Sequence, residues 1–156
     1  MQAIDCLNQV AAFHATFKAP ILDIPQIPDA KRANLRYDLL AEELREFKEA
    51  IANNDLVEAA DALCDIQYVL AGAVLEFGLG EKFVELFNEV QRSNMSKACV
   101  DLTEAEATVA FYAQKDGTIA HIEEDNGRFL VFRTTDHKVL KSINYSAADL
   151  KSIIEQ

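Results

Sequence analysis

Positive charge is what this sequence has too little of: 15 lysines and arginines stand against 26 aspartates and glutamates, a formal net charge of -11 at neutral pH. A surface of that sign repels a polyanionic backbone, so a nucleic-acid polymer is not an expected partner. It does not exclude a small triphosphate, because divalent cations can bridge carboxylates to phosphates and reverse the local charge. Cysteine is also scarce. Cys6, Cys64 and Cys99 are widely spaced and lack CxxC or Cys/His zinc spacing, so neither a disulfide framework nor a zinc finger is read, and a reducing cytoplasm fits best. Long apolar runs are missing: the uncharged stretch 66–75 is too short to span a bilayer, so no membrane partner is expected. The opening residues MQAIDCLNQV carry no basic region followed by an apolar core, so no secretion signal is read. Internal repeats and low-complexity tracts are absent too.

What is present suffices for a core. Half of the 156 residues are hydrophobic and 26% are charged, the proportions of a globular chain with room for one compact domain or a core with a small appendage. Apolar residues Ile4, Leu7, Val10, Ala11 and Phe17 recur at helical spacing and predict a first helix over 3–17. The three prolines, Pro20, Pro25 and Pro28, fall in APILDIPQIPDA, an extended connection ending at the candidate N-cap Asp29. A second helix is predicted over 30–52 on Leu35, Leu39, Leu40, Phe47 and Ile51. Asn53, Asn54 and Asp55 break it. Asp55, with Glu58 in capping-box spacing, should start a third helix running to Leu79 and stopping at Gly80. A fourth covers 81–95, with Phe83, Val84, Phe87 and Val90 on one face.

Four helices with short links predict an antiparallel bundle. Beyond Cys99 the period becomes two: TVAFYAQ, TIAHIEE and RFLVFR, separated by KDG and DNG, read as three strands of a small antiparallel sheet. Ser146 should cap a short terminal helix in SAADLKSIIEQ. The expected division is a helical core over 1–98 and a β-rich appendage over 99–156.

The third helix, LVEAADALCDIQYVLAGAVLEFGL, is apolar or small around nearly its whole circumference, so its acids need explaining. Glu58, Asp61 and Asp65 are spaced i, i+3, i+7 and share one stripe. Unpaired carboxylates in apolar surroundings are costly, and like charges in a row raise one another's pKa. On the second helix, AEELREF supplies Glu42, Glu43 and Glu46. Facing acidic stripes make an all-oxygen site of the kind hard Mg²⁺ or Mn²⁺ prefers. Two plainer readings stand beside it: EExxE is common on solvated helix faces, and Asp61 and Asp65 could pair with Arg36, Arg45 or Lys48. His14 lies on the side of Val10 and Phe17 and reads as packed or capping rather than catalytic.

EExxE on one helix followed by ExxD on the next resembles the MazG-like, all-α NTP pyrophosphohydrolase superfamily. The stretch EAADALCDIQYVLAGAVLEFGL, followed by FNEVQRSNMSK, together with VAAFHATFKAP, RYDLLAEE and DHKVLKSINYSAADL, is most similar to its phosphoribosyl-ATP pyrophosphohydrolase-like branch, which includes dUTP-hydrolysing members. Residues 103–135 look like an insertion.

The resemblance implies a MazG-like four-helix bundle and hydrolysis of an α–β phosphoanhydride to a monophosphate and pyrophosphate, of a nucleoside triphosphate, dUTP among them, or of phosphoribosyl-ATP. It implies Glu43, Glu46 and Asp61 as metal ligands, Glu58 and Asp65 completing the set, and Glu42 as general base. Six acids exceed what one Mg²⁺ takes, so about two or three ions are expected. Ser93 and Asn94 are implied as base or sugar contacts and Lys97 as a phosphate contact, with Arg36 secondary and Lys138, Lys141 and Tyr145 as tail contributors. A homodimer is expected, from the resemblance and from the apolar run Tyr68, Val69, Leu70, Val74 and Leu75. Outside the enzyme class, the alternative is a helical bundle that binds nucleotide or protein without catalysis.

Overall fold

The computed structural model describes residues 4–156, which form six helices and one two-stranded antiparallel sheet: α1 (Cys6–Phe17), α2 (Ala30–Ala52), α3 (Leu56–Glu76), α4 (Phe83–Met95), α5 (Leu102–Asp116), β1 (Ala120–Asp125), β2 (Arg128–Arg133) and α6 (Leu150–Ile154). They fall into two compact units, 1–83 and 84–156. Three of the four expected bundle helices thus share the first unit, while α4 groups with the C-terminal residues. Among the described residues no helix is long and apolar enough to cross a membrane.

In the first unit α3 packs against both α2 and α1. The predicted start of α1 at Ala3 lies outside the described residues; the helix runs from Cys6, with the Asp5 side chain accepting from Asn8 N. Asp29 caps α2 through Arg32 N at 3.1 Å, as its position predicts. Asp55 caps α3 by accepting from Val57 N and Glu58 N at 3.0 and 3.1 Å. The reciprocal half of the capping box is not used, because the Asp55 amide donates to Ala50 O at 2.9 Å. The Glu58 carboxylate is therefore left for other work.

Helix α3 ends at Glu76, before the predicted Leu79. The extended proline segment takes over its last carbonyls: Leu22 N donates to Leu75 O and Gln26 N to Phe77 O, both at 3.0 Å. The turn passes through Gly78 at φ 67, where an added Cβ would lie 2.1 Å from Ile24 O. Both the left-handed backbone and the close crossing require glycine.

In the second unit TVAFYAQ is not a strand; it lies inside α5. Asp101 caps the helix through Glu104 N at 2.8 Å, and Gly117 closes it in the left-handed conformation at φ 74. Ala105, Thr108, Val109 and Tyr112 recur at i, i+3, i+4, i+7 and meet Cys99, Val131, Leu140 and the inner side of the hairpin in one core. The Thr108 hydroxyl, awkward in a helix interior, donates back to Glu104 O at 2.8 Å. The other two predicted strands are β1 and β2, joined at Asn126-Gly127 with φ of 49 and 74, the signs of a tight hairpin turn. The cap of the terminal helix is Asp149, accepting from Ser152 N, and not Ser146, whose amide donates to Ser96 Oγ at 3.0 Å.

Candidate active site: an acidic groove on the helical hairpin

The short 53–55 link folds α3 back along α2, bringing the two predicted acidic stripes together. Small residues make the approach close: Ala50 on α2 and Ala62 on α3 are both buried. Beside them opens a cavity of about 370 Å³ lined by Glu46, Glu49, Asn53, Asp55, Glu58 and Asp61. Glu43 sits further along α2, half-buried, with Oε2 shut from solvent and without a hydrogen-bond partner. Burial raises its carboxyl above the usual range, and the charges of Asp65, Glu46, Glu42 and Asp61 push it the same way. Five of the six predicted acids therefore act on one another at Glu43, while Glu46, Glu58 and Asp61 line the cavity. Glu49, a cavity residue missed in the sequence, follows Glu46 by three and Glu42 by seven on the same helix, a spacing that could have found it.

The plainer readings of these acids can be weighed. Arg45 lies 3.9 Å from Glu42 and 4.0 Å from Glu49, in long, exposed contacts of little energetic worth. Among the described residues no cation pairs with Glu43, Glu46, Glu58, Asp61 or Asp65. Arg36 is engaged elsewhere. It and Arg32 both hydrogen-bond the carboxylate of Glu76, which is 1% exposed. Burial alone would raise the Glu76 carboxyl; the hydrogen bonds and charges of the two arginines outweigh it and hold it below the usual range. His14 completes the network: its Nδ1–H donates to Pro20 O at 2.8 Å, so Nε2 accepts from Arg36 at 3.1 Å. His14 is thus a buried structural partner, as its position on α1 suggested.

The nucleotide-contact candidates lie in the second unit. Ser93 Oγ and Tyr145 Oη are 2.9 Å apart, Lys97 Nζ donates to Asn94 Oδ1 at 2.7 Å, and Lys141 Nζ stands 4.2 Å from the Tyr145 ring centre. The Ser93 hydrogen bond, with Lys141 and Lys97 nearby, lowers the Tyr145 phenol below its usual value. The Lys138 backbone amide donates to Asp136 Oδ1 at 3.3 Å.

A helical hairpin whose inner groove gathers uncompensated carboxylates presents an all-oxygen set of the kind that hard divalent cations take. The sequence model of the phosphoribosyl-ATP pyrophosphohydrolase family matches residues 10–94, more than half of the chain. The chain belongs to that family, and so to the MazG-like all-α pyrophosphohydrolase superfamily, hydrolases of phosphoanhydrides that generally use divalent metals. It is also 32% identical over 76 residues to uncharacterized protein L479 of Acanthamoeba polyphaga mimivirus. That match covers 46% of this chain and 30% of the viral protein, so the chain spans less than a third of the relative's length in it.

Proposed function

We propose that the chain is a Mg²⁺- or Mn²⁺-dependent pyrophosphohydrolase cleaving the α–β phosphoanhydride of a nucleoside triphosphate, dUTP or another non-standard nucleotide included, to a monophosphate and pyrophosphate. The observation that carries the reading is Glu43: a carboxylate oxygen shut from water, with no donor, aimed among four other acids. An all-oxygen set with an orphaned oxygen fits a hard divalent ion, which relieves the repulsion that the protein alone leaves unanswered. Glu43, Glu46 and Asp61 would hold it, with Glu58 and Asp65 completing or orienting the set.

When bound, the metal neutralises phosphate oxygens and acidifies water. The protein's own task is to place and deprotonate that water. Glu42, exposed at the rim, is assigned as the group that accepts its proton. Ser93 and Asn94 are assigned to base or sugar and Lys97 to phosphate, with Arg36, hydrogen-bonded to Glu76 of α3, kept as a secondary phosphate contact.

The family's own description supports a second substrate, phosphoribosyl-ATP, cleaved at the same kind of bond. One assay separates the readings: pyrophosphate release from a panel of triphosphates and from phosphoribosyl-ATP, with metal and with chelator. Metal-dependent cleavage of a triphosphate is expected, with Asp61→Asn lowering the rate at least about a hundredfold while the helical circular dichroism is unchanged. Cleavage of phosphoribosyl-ATP alone would transfer the substrate assignment. Undiminished turnover by Asp61→Asn would move the chemistry off the groove.

A further inference from the structure

The hairpin of the second unit carries side chains that phosphoanhydride hydrolysis does not use. His121 and Glu123 are two residues apart on β1 and so share a face, with His121 Nε2 3.0 Å from Glu123 Oε1. Phe132 on β2 is the cross-strand partner of His121. After β2 the chain turns back and lays the His137 ring over Phe132, 4.2 Å away and 10° from parallel, which also stacks it 5.6 Å from the His121 ring.

His137 Nε2 is thereby brought to 4.0 Å from Glu123 Oε1. The turn holds His137 at φ 55, a conformation a non-glycine residue adopts at a cost. It is closed by the Arg133 amide donating to Lys138 O and the His137 amide to Arg133 O, each at 2.9 Å. The Arg133 guanidinium of this turn is paired with Asp136 at 2.5 Å. One ligand atom from each of His121, Glu123 and His137 lies within 4.8 Å of the others, and all three side chains are open to solvent.

We propose that His121, Glu123 and His137 bind one borderline transition-metal ion of the Zn²⁺, Co²⁺, Ni²⁺ class, with solvent completing the shell. Two imidazoles and a carboxylate are the donors such ions select, whereas hard Mg²⁺ takes the all-oxygen groove between α2 and α3. Ligand atoms in a tetrahedral shell with bonds of about 2 Å stand about 3.3 Å apart. The observed separations of 3.0 and 4.0 Å from Glu123 straddle that spacing, and the two histidine nitrogens lie within 4.8 Å of each other. The site is separate from the hydrolytic reading and stands or falls without it.

The test is equilibrium dialysis of the full-length chain, free of affinity tags, against Zn²⁺ in excess Mg²⁺ so that the acidic groove is saturated. One equivalent of zinc is expected to remain. His121→Ala and His137→Asn should each weaken its binding at least tenfold, asparagine being chosen because it tolerates the left-handed backbone. Cys6→Ser and Cys64→Ser should leave zinc binding unchanged. Co²⁺ on the unaltered chain should give the intense visible bands of a four-coordinate site. Zinc displaced by magnesium, affinity unchanged in both histidine variants, or a weak octahedral cobalt spectrum would each overturn the assignment.

Discussion

Two buried or half-buried glutamates respond to opposite environments, and that difference gives each a distinct signature. Glu43 has its carboxyl raised by burial and surrounding acids, so the folded chain binds its proton more tightly than the unfolded chain does. In chelator its contribution to stability falls as pH rises from the unfolded value near 4.5 through the raised folded value. Glu43→Gln should therefore raise the thermal midpoint of the metal-free protein at neutral pH and remove most of the upward shift that Mg²⁺ gives the unaltered chain. Thermal melts with and without Mg²⁺ read both effects. A magnesium shift undiminished in the variant would remove Glu43 from the metal site.

At the level of elements, α2 and α3 are joined by a polar seam that changes character along its length. Towards the 53–55 link it is acidic and unpaired; at the other end Glu76 meets Arg32 and Arg36, with His14 tying in α1. The seam is tightly fitted. A Cβ on Gly72 would lie 2.7 Å from an Arg36 nitrogen and 3.1 Å from His14 Nε2, and neither side chain can swing away without breaking its hydrogen bonds. Glu76→Gln would leave the buried Arg36 and the part-exposed Arg32 without their counter-charge, a loss of about 3–5 kcal/mol in urea unfolding. Its pH dependence runs opposite to that of Glu43. With the folded carboxyl lowered, the stabilisation is complete above the unfolded value near 4.5 and is lost as pH falls through the folded one. A variant losing under about 1 kcal/mol would mean the arginines find other partners.

The same elements show why the sequence could be read in some places and not in others. Caps and breakers act through neighbours in the chain, so Asp29, Asp55 and the Asn126-Gly127 turn were legible. The stripe Glu58, Asp61, Asp65 was legible because helix geometry places those residues on one face. Helix α5 was misread because a short run such as TVAFYAQ fits either period; the helical stripe Ala105, Thr108, Val109, Tyr112 emerges only when the window opens back to Asp101. Glu76 continues the α3 stripe eleven residues beyond Asp65, yet its pairing with Arg32 and Arg36 depends on how the hairpin closes.

At the scale of the whole molecule, α1 and α3 leave apolar side chains exposed. Phe13 and Tyr68 meet edge to face at 5.6 Å, and Phe13, Leu63, Tyr68 and Leu70 are 38% to 51% exposed. An apolar cavity of about 490 Å³ beside them is lined by Cys6, Val10, Leu63, Cys64 and Tyr68. Helix α3 is apolar or small around nearly its whole circumference, yet only Ala62, Ala71, Gly72, Val74, Leu75 and Glu76 of it are buried. A second copy laid on α1 and α3 is the proposed cover, and it would supply the further helices of a bundle that the first unit does not complete alone. Sedimentation should give a dimer that Leu70→Glu converts to monomer; a monomeric unaltered chain would end the proposal.

Helices α2 and α3, their caps, the acidic character of the groove and membership of a pyrophosphohydrolase family were determined by the sequence by itself, because each rests on residue type at fixed spacing within one or two helices. Tertiary structure decided which acids stay unpaired, which arginines are spent on Glu76, and that His121, Glu123 and His137 converge. Those outcomes depend on groups distant in the chain competing for the same few charges and hydrogen-bonding atoms, and only closure of the fold sets who meets whom.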